Sequence, residues 1–273
     1  MFEFTKMHAL GNDFVIIDGV EKVVSFDPKQ AKIIADRHTG IGCDQILLVN
    51  NAGENCFNFR IYNADGSESA QCGNGARCVG RLLHDRGYLT GKEFVLKTSA
   101  EDMLCHVNGS EISVALGVPR FRPSEVPIIS ESEQPTYELE VNGDNIQFSA
   151  LSIGNPHAVI LVEDVETAPV AETGPKIESH SRFPERTNVG YLQVVSRSIV
   201  RLRVFERGVG ETFACGSGAS AAVVAGIRLG LLDYSVEVKL TAGSLFVDWE
   251  GGDRPVRLSG PASYIYEGRW ITT

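Results

Sequence analysis

The sequence predicts an α/β protein made of two copies of one unit. Three observations carry that expectation. Cys72-Gly73-Asn74-Gly75-Ala76 returns 143 residues later as Cys215-Gly216-Ser217-Gly218-Ala219. Each stretch opens an apolar run, tolerant of alanine and glycine, that reads as a helix. Each run meets a glycine fifteen residues after its cysteine, at Gly87 and Gly230. The same ungapped offset of 143 lays Gly11-Asn12 on Gly154-Asn155, Gln45 on Asn188, and Arg60-Ile61-Tyr62-Asn63 on Arg203-Val204-Phe205-Glu206. It also lays Glu68 on Glu211, Thr98 on Thr241 and Gly117 on Gly260. Recurrent glycine-rich turns alone do not hold one register over so long a stretch.

In chain order, residues 3–18 read as strand, turn, strand, with Gly11-Asn12 between Phe4 and the run Phe14-Val15-Ile16-Ile17. Asp27-Pro28 is an N-cap followed by the first helical position, and predicts a helix to about His38 with a stop at Gly40. Gln45 to Val49 is an apolar strand. Phe57 to Tyr62 largely alternates apolar and polar, as a half-buried strand does, and ends in the turn Asn63-Ala64-Asp65-Gly66. The first Cys-Gly helix follows, then strands around residues 93–98 and 112–116. Residues 118–143 hold four of the eleven prolines and read as a crossing segment between domains. The expected division is a first domain over residues 1–117, completed by 262–273, and a second over 118–261.

A hydrophobic fraction of 43% and a charged fraction of 22% are those of a globular chain with a sizeable core. The net charge of −10 argues against a nucleic-acid or anionic-membrane surface. Glu3, Lys6 and Asp13 interrupt any signal-like apolar region, and no run approaches a membrane span. The cytoplasm is the expected location. There the six cysteines are expected as thiols rather than disulfides. No zinc-ligand spacing occurs, and no metal site is expected. No Walker motif or Schiff-base lysine signal stands out, so no cofactor is expected either.

Duplicated domains commonly face each other, and equivalent cysteines would then meet across a cleft. A carbon between two thiols can lose a proton to one and gain a proton from the other, with inversion. That is what a two-base racemase or epimerase requires. Cysteine suits it because one partner can be thiolate while the other is thiol near neutrality. A helix N-terminus favours the thiolate and offers N–H groups to a carboxylate. Gly73-Asn74 and Gly216-Ser217 would present those N–H groups. Glu206-Arg207 could clasp an amino acid, and Asn12, Gln45, Asn63, Asn155 and Asn188 supply neutral amides. His157 reads as a base, a partner for a thiol, or a satisfied core histidine; His8 is more ambiguous. Cys43, Cys56, Cys78 and Cys105 have no counterpart at the repeat offset and read as packing residues.

Over almost its whole length the chain resembles the diaminopimelate epimerase family. The matching stretches are Lys6 to Phe14, Gly42 to Gln45, Asn63 to Ser67, Gln71 to Cys78, Gly154 to His157, Glu185 to Asn188, and Glu206 to Ala219. One departure is Ala9, where the family commonly has glycine. The resemblance implies two pseudo-symmetric domains, each a curled, mostly antiparallel sheet around a central helix. It implies cofactor-independent interconversion of LL- and meso-2,6-diaminopimelate, for lysine and peptidoglycan synthesis. By that resemblance Cys72 and Cys215 are the acid/base pair, and His157 and Glu206 support the chemistry. Asn12, Gln45, Asn63, Gly73, Asn74, Asn155, Asn188, Glu206, Arg207, Gly216 and Ser217 contact substrate. The family is typically homodimeric.

Three other readings compete. A proline racemase or hydroxyproline epimerase shares the thiol pair but needs no recognition of a second zwitterionic centre, which Asn63, Asn155, Asn188 and Arg207 suit. A thiol sensor would use the two cysteines as a regulated disulfide. A binding module would tolerate their replacement by serine.

Overall fold

The computed structural model describes residues 1–109 and 111–271. Residues 272 and 273, the end of the segment expected to complete the first domain, lie outside the described residues. The chain divides into two compact units. One holds Met1–Ala115 and the residues from Ser259 onward, and the other holds Leu116–Leu258.

The first unit begins with β1 (Phe2–Ala9) and β2 (Asn12–Gly19), antiparallel neighbours. A 3-10 turn at Pro28–Gln30 leads into the short helix α1 (Ala31–Ala35), and β3 (Gln45–Gly53) then pairs in parallel with β2. β4 (Cys56–Asn63) folds back on β3, and the two-residue β5 (Glu68–Ser69) on β4. After helix α2 (Gly73–Asp85), β6 (Glu93–Lys97) lies parallel to β4, followed by the antiparallel β7 (Met103–Asn108) and β8 (Glu111–Ala115).

The second unit repeats this plan. β9 (Tyr137–Val141) and β10 (Asp144–Ser152) are antiparallel, as are β10 and β11 (Pro156–Leu161). Helix α3 (Val170–Glu178) carries the chain to β12 (Asn188–Ser196), parallel to β11. β13 (Ile199–Glu206) and β14 (Gly210–Thr212) continue the meander, and helix α4 (Gly216–Arg228) leads to β15 (Ser235–Leu240), parallel to β13. β16 (Gly243–Asp248) pairs with β15, and β17 (Arg257–Gly260) leads out of the unit. The last strand, β18 (Ser263–Trp270), returns to β1 of the first unit.

Both units are therefore mixed, mostly antiparallel sheets with parallel pairs at the same two places. Each curls round one helix. α2 packs on β1, β2 and β3 and also on β7 and β8; α4 packs on β10 to β13 and on β15 and β16. A sheet closes round a helix only if that helix is slim. α4 does this with buried Ala219, Ala221, Ala222 and Ala225. In α2 a Cβ at Gly80 would come 2.7 Å from Phe94 Cζ and 2.9 Å from Ile112 Cγ2. Both helices stop at the expected glycines, with φ of 71° at Gly87 and 73° at Gly230, where a left-handed residue ends a helix without a Cβ penalty. The repeat extends to an ion pair. Arg60 grips Glu68 at 3.0 and 2.9 Å, and Arg203 grips Glu211 at 2.6 and 2.9 Å.

Two expectations need correction. The helix after Asp27 ends at Ala35 rather than near His38. Asp36 is extended (φ −60°, ψ 126°), and its carboxylate accepts from the His38 and Thr39 N–H groups at 2.8 and 2.6 Å. Such a local side-chain cap competes with helix continuation. Residues 118–143 are not a bare crossing segment. Val126, Ile128, Tyr137, Leu139 and Val141 are buried with Ile177 and Tyr191 in the core of the second unit.

Candidate active site

Cys72 is the N-cap of α2, extended at φ −152° and ψ 99°, and its sulfur accepts the Gly75 N–H at 3.2 Å. A Cβ on Gly75 would lie 3.0 Å from Leu47 Cδ1 and 3.3 Å from the same sulfur. Glycine lets helix and thiol approach. The first N–H groups of a helix have no intrahelical partner, so Gly73 and Asn74 offer theirs beside the sulfur. The Asn74 amide donates to Asn12 Oδ1 at 3.1 Å and accepts from Arg77 Nη2 at 2.9 Å. Asn12 donates onward to Asp44 Oδ2 at 2.8 Å. Behind them, burial would raise the Asp13 carboxyl. Hydrogen bonds from Arg37 and Lys6 outweigh it and hold the group at about 2. On the adjacent strands β3 and β4, Gln45 Nε2 donates to Asn63 Oδ1 at 2.8 Å.

Cys215 holds the same place on α4, extended at φ −126° and ψ 113°, and its sulfur accepts the Gly218 N–H at 3.4 Å. A Cβ on Gly218 would meet Val204 Cγ2 at 3.0 Å and the sulfur at 3.2 Å. Cys215 is buried, however, whereas Cys72 is half-buried. Burial pushes the Cys215 thiol well above its ordinary range and the Glu206 carboxylate adds to this; Ser217 and the Gly218 N–H pull the other way. Ser217 Oγ is 3.6 Å from the sulfur. Glu206 ends β13 and accepts from the Thr212 hydroxyl.

His157, on β11, is 1% exposed. Burial, with a smaller push from the Arg207 charge, lowers it to about 3, so it is neutral at neutral pH. Its Nε2 lies 2.9 Å from Asn155 Oδ1. An amide oxygen only accepts, so Nε2 carries the proton and donates. The ring is thus buried, neutral and hydrogen-bonded to an amide. Asn188 is also buried. It donates to Pro156 O at 2.9 Å and accepts from the Arg207 N–H at 3.0 Å, joining two strand ends. The exposed Arg207 guanidinium donates to Glu185 O at 3.0 Å.

Within the first unit the structure joins Asn12 to Asn74 and Gln45 to Asn63. Within the second it joins Asn155 to His157, Asn188 to the Arg207 backbone, and Cys215 to Ser217. Sequence reasoning missed Asp44, Thr212 and Arg77. All three lie in the stretches that carry the family resemblance, without a role assigned to them, and Arg77 also falls in a run read as apolar. Cys43, Cys78 and Cys105 are buried, as packing cysteines are. Burial pushes Cys43 up to about 11.

The fold recurs in solved structures of low sequence identity. A phenazine biosynthesis protein of the PhzF family from Bacillus anthracis superposes with a TM-score of 0.67 at 16% identity, covering 99% of both chains. A hydroxyproline epimerase from Agrobacterium vitis does so with a TM-score of 0.65 at 17% identity, covering 98% of this chain and 90% of that one. Much greater similarity is found to diaminopimelate epimerases. That of Nitrosospira multiformis is 50% identical over 97% of each chain, and that of Teredinibacter turnerae 47% identical over 97% of this chain and 98% of its own. The diaminopimelate epimerase family model matches residues 4–122 and 149–265, which take in both cysteine-capped helices. With half of its residues shared along nearly its full length, this chain belongs to the diaminopimelate epimerase family.

Proposed function

We propose that Cys72 and Cys215 are the two acid/base residues of a cofactor-independent epimerase acting on one α-carbon of 2,6-diaminopimelate. The chain is an isomerase of its family and interconverts the LL and meso forms. The observation that supports the two-thiol mechanism is their equivalence. Each sulfur caps a helix, and each accepts the N–H three residues on. One thiolate takes the α-proton: an S–H bond forms, the C–H bond breaks, and its electron pair moves toward the substrate carboxylate. The other thiol gives its proton to the opposite face, and the configuration inverts. Helix N–H groups at Gly73-Asn74 or Gly216-Ser217 would stabilise the charge growing on that carboxylate.

In this reading Asn12, Gln45, Asn63, Asn155, Asn188 and Arg207 contact substrate, Glu206 binds an ammonium and holds Cys215 protonated, and His157 keeps Asn155 turned. The thiols serve as both acid and base, so the reading needs no pyridoxal phosphate. It includes a homodimer, tested by sedimentation, and a cytoplasmic location. Among the described residues no helix is long and apolar enough to cross a membrane. The test is incubation of reduced protein with LL-diaminopimelate in deuterated water without added cofactor. The expected product is the meso form with one deuterium at the inverted carbon. Turnover of proline but not diaminopimelate would reject this reading.

A further inference from the structure

Arg77 is fully buried within α2, five residues after the capping thiol. Burial of an arginine without a paired charge is rare and costly. Among the described residues its one hydrogen-bond partner is Asn74, and its Nε and Nη1 have none. A guanidinium only donates, so Asn74 must turn its oxygen to Arg77 and its NH2 to Asn12. Asn12 must then turn its NH2 to the Asp44 carboxylate. A cation at one end and an anion at the other thus set the direction of both amides.

Among the described residues, the helix of the second unit carries no such run from cation through amides to anion. At the repeat offset, Asn74 becomes Ser217 and Arg77 becomes Ser220, a buried hydroxyl without a partner among the described residues. Burial lowers the Arg77 guanidinium to about 10, and a thiolate at Cys78 or Cys72 would act against that loss. The attraction is mutual. Cys78 and, on β7, Cys105 are sealed in the core and pushed well above the usual thiol range by burial. A Cβ added to α2 would meet Leu47 at Gly75, and Phe94 and Ile112 at Gly80. Cys72 is the half-buried thiol of this group.

We propose that Arg77 is a positioning residue that orients Asn74 and Asn12 toward substrate and makes Cys72 the thiol that carries the anion. The proposal rests on the reading of Cys72 as an acid/base residue. Its test uses full-length Arg77→Met and Arg77→Lys, checked for folding by circular dichroism. Iodoacetamide labelling of Cys72 and Cys215 is followed by mass spectrometry, beside kcat and KM for LL-diaminopimelate.

Arg77→Met should lower kcat/KM about a hundredfold through misplaced contacts. It should slow Cys72 alkylation about tenfold while leaving Cys215 unchanged. Arg77→Lys keeps the charge without the planar fork, so alkylation should return to within about twofold of wild type while kcat/KM stays about tenfold low. Wild-type labelling and turnover in Arg77→Met would overturn the proposal. If Arg77→Met does not fold, wild-type kcat/KM in Arg77→Lys overturns the positioning role. Cys72→Ser separates the two readings. Full turnover there removes the two-thiol mechanism itself, whereas an inert Cys72→Ser beside an unaffected Arg77→Met removes only the role of Arg77.

Discussion

Cys72 and Cys215 cap equivalent helices in equivalent sheets, yet the surroundings of the two sulfurs differ in kind. The first is half-buried, next to a chain of amides that ends in a buried guanidinium. The second is 5% exposed, on a helix of alanine and valine, with a carboxylate beside it. Under the role proposed for Arg77 the first surroundings favour an anion, whereas burial and the Glu206 carboxylate make the second favour a neutral thiol. A two-base mechanism needs one of each when substrate binds. The comparison teaches that duplication repeats the helix cap in each unit, while a few side chains, Arg77 against Ser220 and Asn63 against Glu206, make its surroundings differ.

The largest effect tests the shared part. Cys72→Ser and Cys215→Ser should each lower epimerisation about a thousandfold, the scale of a lost general acid or base. Both variants should keep the wild-type circular dichroism spectrum. A large loss in one variant alone would break the equivalence. Next, Gly75→Ala and Gly218→Ala should each cost about 1–3 kcal/mol in urea unfolding, because the new Cβ crowds a packed aliphatic side chain and the capping sulfur. Near-equal losses would sharpen the symmetry, since each new Cβ would lie 3.0 Å from an aliphatic carbon.

The pH response should expose the asymmetry. His157 falls at the repeat position of Phe14, so only the second unit carries this titration. Its folded value of about 3 lies below the unfolded value of about 6.5. Below the unfolded value the unfolded chain binds the extra proton. The stabilisation is therefore complete above about pH 6.5 and is lost as pH falls toward 3, at up to about 1.4 kcal/mol per pH unit. His157→Gln should flatten that slope in urea titrations run at successive pH values. The smallest effect is at Tyr62, whose buried hydroxyl has no partner among the described residues and whose repeat counterpart is Phe205. Tyr62→Phe should leave stability unchanged or raise it by about 1 kcal/mol, since an unsatisfied buried hydroxyl is removed. A measured loss would show that the hydroxyl has a partner in solution.

Sequence alone determined the repeat, because one register of glycine turns, capping cysteines and strand patterns survives without a gap. It also determined the start and stop of both central helices, since an N-cap and a left-handed glycine are local chemistry. It located the thiols and their neighbouring amides through motifs carried on turns. Tertiary structure decided the rest. Whether the proline-bearing residues 118–143 bridge or pack depended on Val126 and Ile128 finding a core. The helix after Asp27 stopped early because the Asp36 side chain turned back onto its own backbone. Above all, the state of each polar group was set by burial. Arg77, His157 and Cys215 owe their character to what the curled sheets place around them, and that enclosure is built by strands distant in the chain.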